Sequence, residues 1–232
     1  MTGKLFEKID TVSKKARVVT LLRDAILSGQ LHSGEWIVEG RMSREFGVGQ
    51  GVLREALIEL EHQGYVQRTP YSGTRVTTLT HDDARHIYDL RIVLEPLAFV
   101  AAAPRITGQV LDELKQIAER SRRDYEAEDL PGLYQQMLAF RQLVWSLSGN
   151  DYLERTLLGL VPPLYALYLI RAASSRDNRE GLLPTIVTAL EHQIAVIQAF
   201  ERRDPEAIRQ TVEGFLVRMR AAIGAELLPV MT

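Results

Sequence analysis

The chain has 232 residues, of which 46% are hydrophobic and 25% are charged, and it contains no cysteine. This composition is typical of a soluble globular protein of one or two domains, and it excludes collagen-like, disordered and disulfide-stapled chains, thiolate zinc sites and cysteine nucleophiles. No uninterrupted apolar run reaches the ~18 residues of a membrane span, and the N-terminus lacks the apolar stretch of a signal peptide, so we expect a cytoplasmic protein with no membrane segment.

The formal net charge of −2 conceals a difference between the two parts of the chain. Residues 1–78 carry 11 Lys or Arg against 9 Asp or Glu, a net of +2, and residues 79–232 carry 17 against 21, a net of −4. All four lysines of the first part precede Arg17. A basic arm on a mildly basic domain suits DNA phosphates, but an ordinary solvated face would show the same charge.

The first part predicts three helices and a hairpin. Apolar residues at helical spacing, followed by glycine stops, predict helices over about 14–28, 40–46 and 50–63. Two β-rich runs, 65–69 and 74–78, flank the turn Pro70-Tyr71-Ser72-Gly73. This order is that of a winged helix-turn-helix, in which the helix after the turn enters the major groove and the hairpin tip lies beside the backbone or the minor groove.

The third predicted helix has two distinct faces. One apolar stripe is formed by Leu53, Ala56, Leu57 and Leu60. Gln50 and Arg54, four residues apart, share a different face. That polar face is therefore available for a partner.

The sequence of the second part, residues 79–232, predicts helices and no strand. Thr80 and Asp83 have the spacing of a capping box at the start of a new domain, and Pro96 should bend or locally break the first helix without ending it. Further helices are predicted at about 107–128, 130–147, 152–173, 179–203 and 205–227. The fold class is therefore mainly α, with a winged helix-turn-helix in residues 1–78 and an antiparallel helical bundle in residues 79–232.

Motifs in both parts resemble those of one family of bacterial proteins. The run Val52-Leu53-Arg54-Glu55-Ala56-Leu57, followed by Gly64, resembles the winged helix-turn-helix of GntR-type transcription regulators. The run from Leu90 to Ala98 (LRIVLEPLA), then Ser148-Gly149-Asn150 and Glu191-His192, resembles the all-helical FCD-type effector domain of the FadR-like subgroup. The resemblance implies a homodimeric, ligand-responsive repressor that binds an inverted-repeat operator in double-stranded DNA, and no catalytic residues.

The resemblance also assigns the DNA contacts. They would come from Arg44, Gln50, Gly51 and Arg54 in the motif and from Tyr71, Ser72, Gly73 and Thr74 in the wing. Where relatives usually begin the recognition helix with a Ser-Arg-Thr-Pro-like sequence, this chain has Gly49-Gln50-Gly51-Val52, and Ser72 replaces the usual wing arginine. Gln50 can pair with adenine, whereas fewer basic contacts predict weaker nonspecific affinity and a shallower salt dependence.

The effector site departs from the subgroup as well. Many members hold a divalent metal with one Asp and three His, and the corresponding positions here are Met137, Arg141, His192 and about Gly214. We therefore expect no metal and no cofactor, because methionine is a weak ligand and arginine is a permanent cation. Arg141 becomes the first candidate to bind a small anionic effector, such as a carboxylate, through its guanidinium.

Other side chains are candidates for the same pocket, and simpler roles remain open for all of them. The pocket set comprises Arg91, Tyr134, Met137, Arg141, Tyr165 and His192. Arg141 would otherwise form an internal ion pair with a carboxylate such as Glu95 or Glu191, His192 would be a hydrogen-bonded interior histidine, and the tyrosines would be core residues.

Two other functions are weighed against the regulator. Catalytic motifs such as Gly-x-Ser-x-Gly or His-Glu-x-x-His are absent from the sequence, so we predict that the protein is not an enzyme. The second alternative is a helical ligand-binding or interaction protein that has lost specific DNA binding, which the missing basic contacts favour.

Overall fold

The computed structural model describes residues 14–69 and 72–222. Within it the chain divides into two compact units, with the boundary between Thr77 and Thr78. We refer to them as the amino-terminal unit and the helical unit, and each is described by itself.

The amino-terminal unit combines three helices with a small sheet. In chain order its elements are α1 (Lys14–Leu27), β1 (Trp36–Ile37), α2 (Glu39–Phe46), α3 (Gln50–His62), β2 (Val66–Thr69) and β3 (Gly73–Val76). The helices bury the apolar residues that the sequence pattern indicates, including Leu22 and Ile26 of α1 and Leu53 and Leu57 of α3. The winged helix-turn-helix is therefore confirmed.

The sheet has the antiparallel order β1-β3-β2, so β3 is its central strand. Val66 pairs with Val76 and Thr69 with Gly73 across the hairpin, while Ile37 pairs with Thr74 on the other side. The sequence pattern does not predict β1, because a two-residue strand is too short to show an alternation of apolar and polar residues. Its presence gives β3 a neighbour on both edges.

The helical unit begins where the capping box predicts. The Thr80 side chain accepts a hydrogen bond from the Asp83 backbone N–H, and the Asp83 carboxylate accepts one from the Thr80 backbone N–H at 2.8 Å. The elements that follow are α4 (His81–Ala102), a 3₁₀ turn (Ala103–Arg105), α5 (Gly108–Glu126), α6 (Leu130–Ser146), α7 (Asp151–Ser174), α8 (Arg176–Arg202) and α9 (Pro205–Ala222).

The predicted helix boundaries agree with these elements to within about two residues, with two exceptions. The helix expected to start at Arg179 starts at Arg176, because the Ser175 hydroxyl accepts a hydrogen bond from the Asn178 backbone N–H and caps it earlier. The last predicted helix extends to residue 227, and residues 223–227 lie outside the described part of the chain. α4 runs through Pro96 without ending, as predicted.

The core of the helical unit lies between the helices and is mainly apolar. Its largest fully buried side chains include Trp145, Phe140 and Phe99. By length and composition, α7 and α8 would each pass as a membrane span, although no uninterrupted apolar run does. The qualifying stretches are 56% and 50% buried inside the protein, which is the behaviour of core helices.

Candidate functional site

The turn between α2 and α3 is shaped by Gly47. Its φ of 61° lies in the left-handed region, which favours glycine, and its N–H donates to the Arg44 carbonyl at 3.2 Å. The Val48 N–H donates to the Ser43 carbonyl at 3.0 Å, which closes the end of α2. Only two residues, Val48 and Gly49, lie between Gly47 and the start of α3, so the two helices form a tight helix-turn-helix.

The first turn of α3 presents the predicted recognition residues to solvent. Gln50, Gly51 and Arg54 are exposed, and Gly49 at the N-cap supplies no side-chain hydrogen bond. The N–H groups of this first turn therefore lack a side-chain cap and are suited to a phosphate or a base edge. Arg54 is not free, because its Nε donates to Glu39 Oε2 at 3.0 Å.

The wing supplies fewer side chains than the sequence analysis assigned to it. Ser72 and Gly73 are exposed, and Tyr71 lies outside the described residues. Thr74 is 1% exposed because it belongs to the central strand, so its hydroxyl cannot contact DNA from this position. Half-exposed Trp36 lies beside the hairpin, with ring carbon Cζ3 3.7 Å from the point where a Gly73 side chain would begin.

Additional exposed arginines were missed by the motif comparison. Arg41 on α2 lies 3.6 Å from Glu45, and Arg68 on β2 lies 3.8 Å from Glu61. Among the described residues, exposed Arg44 has no carboxylate within 4.0 Å, so its guanidinium is available for a phosphate. A search for exposed basic positions in the strand before the turn would have identified Arg68.

The helical unit buries a cluster of two arginines and one carboxylate. Arg91 and Glu95 lie one turn apart on α4, and Arg141 comes from α6; their exposed fractions are 1%, 0% and 2%. Arg91 Nε donates to Glu95 Oε1 at 2.5 Å. Arg141 Nε lies 3.4 Å from Glu95 Oε2, and Arg141 Nη1 donates to the Met137 carbonyl at 3.1 Å. We call this set the arginine cluster.

The arginine cluster shows the internal contacts of Arg141, while effector binding by this residue stays a prediction. The alternative of an internal ion pair with Glu95 is the one observed, whereas Glu191 is exposed. Burial lowers the pKa of Arg91, but the Glu95 carboxylate and the nearby Tyr88 and Tyr165 side chains together raise the pKa overall, so the guanidinium is charged. Two cations thus share one anion, and the cluster carries an excess charge of +1.

The cluster also leaves polar atoms unsatisfied. Arg91 Nη1, Arg141 Nε and Glu95 Oε2 are buried with no hydrogen-bond partner within the described residues, since the 3.4 Å contact is poorly aligned for a hydrogen bond. Unpaired buried donors cost free energy. An anion placed between the two guanidiniums would satisfy them.

Aromatic rings enclose the cluster. The Arg91 guanidinium lies 4.5 Å from the centre of the Tyr88 ring, and the Arg141 guanidinium lies 5.6 Å from Phe215 and 5.9 Å from Tyr165. Tyr134 packs against Tyr165 with ring centres 5.1 Å apart. Such rings stabilise buried cations through their negative faces. The structure therefore brings the predicted tyrosines and arginines together.

His192 lies in the same part of the core as a neutral imidazole. Its ring stacks on Phe215 with a centre distance of 4.0 Å, and its Nδ1 has no partner among the described residues. Burial lowers its pKa well below the ordinary value, and the positive charges of Arg141, Arg91 and Arg218 lower it further. The expected hydrogen-bonded interior histidine is thus buried but unpaired at Nδ1.

The space inside the cluster is small. The cavity lined by Arg91, Arg141 and Met137 has a volume of about 20 Å³, which is room for about one water molecule. Larger surface pockets lie elsewhere, one of about 710 Å³ beside Arg176 and Arg179 and one of about 640 Å³ between α5 and α8. An organic acid therefore requires the cluster to open.

The positions that correspond to metal ligands in the subgroup hold a poor donor set. Met137, Arg141 and His192 are buried near one another, and Gly214 provides no side chain. Within residues 14–69 and 72–222, no group of three or more His, Cys, Asp or Glu side chains is placed to hold a metal ion. A carboxylate is the better fit to two guanidiniums.

Comparisons with known proteins are consistent across both units. Residues 14–76 match the family described as bacterial regulatory proteins, gntR family, and residues 86–218 match the FCD domain. Among curated relatives, an uncharacterized HTH-type transcriptional regulator of Bacillus subtilis, YdhC, is 29% identical over 192 residues, covering 82% of each chain. The gluconate operon transcriptional repressor of Bacillus licheniformis is 25% identical, covering 88% of this chain and 82% of its own.

Solved structures agree with the architecture. Escherichia coli McbR/YncC superposes with a TM-score of 0.67 at 20% identity, covering 92% of this chain and 98% of the other. A GntR-type regulator from Rhodococcus superposes with a TM-score of 0.64 at 22% identity, covering 91% and 98%. At these identities the likeness concerns the fold.

Proposed function

The chain belongs to the gntR family of bacterial regulatory proteins and carries an FCD domain, and we propose that it is a homodimeric repressor controlled by a small monocarboxylic acid. Like its family and relatives, it is a DNA-binding transcriptional regulator and not an enzyme. Relatives named as gluconate operon repressors support repression as the direction of control. Such a regulator acts in the cytoplasm, where its operator is.

Operator recognition centres on the first turn of α3. Gln50 is exposed there and can donate to and accept from adenine in the major groove, whereas an arginine would select guanine. Arg44 and the uncapped N–H groups of α3 would contact phosphates and set the position of the helix. Relatives with an arginine at the start of the recognition helix would select a guanine. We therefore expect an adenine at the corresponding position of each half-site of this protein.

One observation carries the effector proposal: two buried guanidiniums share a single carboxylate. The excess charge of +1, with unpaired Nη1 of Arg91 and Nε of Arg141, favours a ligand that brings one negative charge. A dianion would give the buried site a net negative charge, and a neutral ligand would leave its excess positive charge uncompensated.

Binding would change the structure because the cavity holds only about one water molecule. The Arg141 contact with Glu95 at 3.4 Å is the looser one, and it would yield to the incoming carboxylate while Arg91 keeps Glu95 at 2.5 Å. The helices that carry these side chains, α4 and α6, would then separate. Effector affinity that differs between the closed and open forms would shift the population and release DNA.

The first experiment tests operator binding. Fluorescence anisotropy would compare duplexes from the region upstream of the gene with scrambled duplexes at about 150 mM salt, where nonspecific binding is weak. We expect selective binding, and weaker selectivity when Gln50 is changed to Ala. Equal, weak binding to both duplexes would instead support the second candidate, an interaction protein without specific DNA affinity, which the Arg54 ion pair with Glu39 favours.

The second experiment tests the effector site. A panel of small monocarboxylic acids would be screened for release of the operator, and the active acid would be tested on Arg141→Met. The matched control is Arg179→Met, which removes a guanidinium from the larger surface pocket. We expect Arg141→Met to keep operator affinity and lose the response, and Arg179→Met to keep both. The opposite pattern would place the effector in the surface pocket.

A further inference from the structure

Trp36 is an exposed aromatic residue beside the hairpin of the amino-terminal unit. It is 47% exposed, whereas the other tryptophan of the chain, Trp145, is fully buried in the helical unit. Its ring carbons Cζ3 and Cε3 lie 3.7 and 3.8 Å from the point where a Gly73 side chain would begin. The indole ring therefore lies against the first residue of β3. Tryptophan is enriched at interaction surfaces, because its large ring gains from being covered.

The strand register turns this ring toward the tip of the hairpin. The Trp36 backbone pairs with Arg75, and Gly73 lies two residues nearer the tip on the same strand. The ring thus reaches from its own place in the sheet to the beginning of the tip. Gly73, whose φ is 108°, offers backbone and no side chain at the point of contact. The ring and the tip form one continuous surface.

Trp36 shares one face of the sheet with two polar side chains. Directly paired residues of antiparallel strands lie on the same face, and the register places Trp36, Arg75 and Gln67 in one row across β1, β3 and β2. Ile37 and Thr74 belong to the opposite face and are buried. Arg75 Nη2 lies 3.5 Å from Gln67 Oε1. We call Trp36, Arg75 and Gln67 the outer sheet row.

The charge of the sheet suits a polyanion. The described residues of its three strands include Arg68 and Arg75 and no Asp or Glu. Arg68 lies 3.8 Å from Glu61, whereas Arg75 has no carboxylate within 4.0 Å in residues 14–69 and 72–222. The buried Nε of Arg75 also has no hydrogen-bond partner in that part of the chain. A cation beside an exposed aromatic ring fits the alternating phosphates and sugars of a DNA backbone.

We propose that the outer sheet row belongs to the DNA-binding surface, with the Trp36 ring packed on deoxyribose at the edge of the minor groove and the Arg75 guanidinium on a neighbouring phosphate. The row is continuous with the hairpin tip, which in a winged helix-turn-helix lies beside the backbone or the minor groove. The inference rests on the proposed operator binding.

This contact has a distinct energetic signature. The indole ring is uncharged and releases no counterions, so its contribution to affinity should not depend on salt. It touches sugars and not base edges, so its contribution should be the same for different sequences. Arg75 differs, because neutralising one phosphate adds about one to the slope of affinity against salt concentration on logarithmic axes.

Quenching of tryptophan fluorescence by acrylamide tests the contact directly. In the free protein Trp36 should be quenched, because the ring is half-exposed, and bound duplex DNA should protect it. Trp36→Phe should remove the DNA-dependent change and leave buried Trp145 as the reference. Equal quenching with and without bound DNA overturns the proposal. A ring already shielded in the free protein would mean that another part of the protein or a second copy covers it, and this also overturns the proposal.

Anisotropy titrations at several salt concentrations test the energetic signature. Trp36→Ala should weaken binding roughly tenfold to operator and scrambled duplexes alike, with an unchanged salt slope, and Trp36→Phe should recover most of the loss. Arg75→Gln should lower the slope by about one. The matched control is Leu21→Ala on α1, a change at an apolar residue that is 44% exposed, and it should bind as the natural protein does.

Thermal unfolding would verify that each variant is folded. The proposal is overturned if folded Trp36→Ala binds DNA as tightly as the natural protein, or if Leu21→Ala weakens binding as much as Trp36→Ala does.

The outcome is distinguishable from that of the proposed function. Selective operator binding that leaves Trp36 open to quenching would keep the regulator and refute the contact. Equal binding to operator and scrambled duplexes that protects Trp36 would do the reverse. Absence of binding to any duplex, which the anisotropy of the labelled DNA reports independently of the indole ring, would refute both.

Discussion

Replacing Glu95 by Gln should destabilise the helical unit more than replacing either of its partners. The change keeps the size of the side chain but removes the one carboxylate that, among the described residues, lies close to Arg91 and Arg141, at 2.5 and 3.4 Å. Breaking a buried ion pair in this way costs about 3–5 kcal/mol, because charges are left uncompensated. For a chain of 150 to 250 residues, that corresponds to a fall in Tm of roughly 6–20 °C.

Arg141→Met is the informative comparison. It leaves Arg91 and Glu95 as a balanced pair, removes the excess charge and keeps an apolar side chain against Phe215 and Tyr165. We expect a cost below about 1.5 kcal/mol, the range of well-packed apolar replacements. The two variants therefore differ by charge balance more than by volume.

The assay is thermal and urea unfolding followed by circular dichroism at 222 nm, where most of the signal comes from the longer helices of the helical unit. Sodium formate at about 100 mM should raise the Tm of Glu95→Gln more than that of the natural protein, because a small anion can take the place of the carboxylate. Sodium chloride at equal ionic strength is the control. The reasoning is refuted if Glu95→Gln costs no more than Arg141→Met, or if formate has no selective effect.

Three further predictions concern single residues. His192 is neutral when folded, so protons bind more readily to the unfolded chain; the free energy of unfolding should fall by up to about 1.4 kcal/mol per pH unit below pH 6.5, and His192→Gln should lack this component in urea titrations at several pH values. Thr80→Ala removes the capping box of α4 and should cost about 1 kcal/mol in thermal unfolding, whereas an unchanged Tm would mean that the cap contributes nothing. Gly51→Ala meets no atom within 4 Å and should stabilise α3 by about 1 kcal/mol; a loss of stability would show that the helix is strained there.

Much of the fold follows from local sequence signals. A glycine follows within two residues of the end of α1, α2 and α3, as the sequence pattern predicts. Thr80 and Asp83 form the predicted capping box at the start of α4. These signals act over a few residues, so they can be recognised in the sequence without knowledge of the tertiary structure. β1 was missed because its two residues become a strand only through pairing with distant β3.

The candidate sites divide in the same way. Exposure of Gln50 and Arg54 follows from helical spacing, but burial of Thr74 depends on strands on both sides of it, and the Arg54 contact with Glu39 depends on the angle between two helices. Neither the burial of Thr74 nor the contact of Arg54 with Glu39 can be derived from residue spacing alone.

Local sequence signals were enough to predict the family, the winged helix-turn-helix, the helical second part and the residues that gather in its core, because periodicity, caps and motifs are local properties of the chain. The packing of the helices was needed to show which carboxylate contacts Arg141. Glu95 and Arg141 belong to different helices, and whether their charges meet depends on how α4 and α6 pack. Packing also buried the three charged side chains together and gave the cluster one more positive than negative charge.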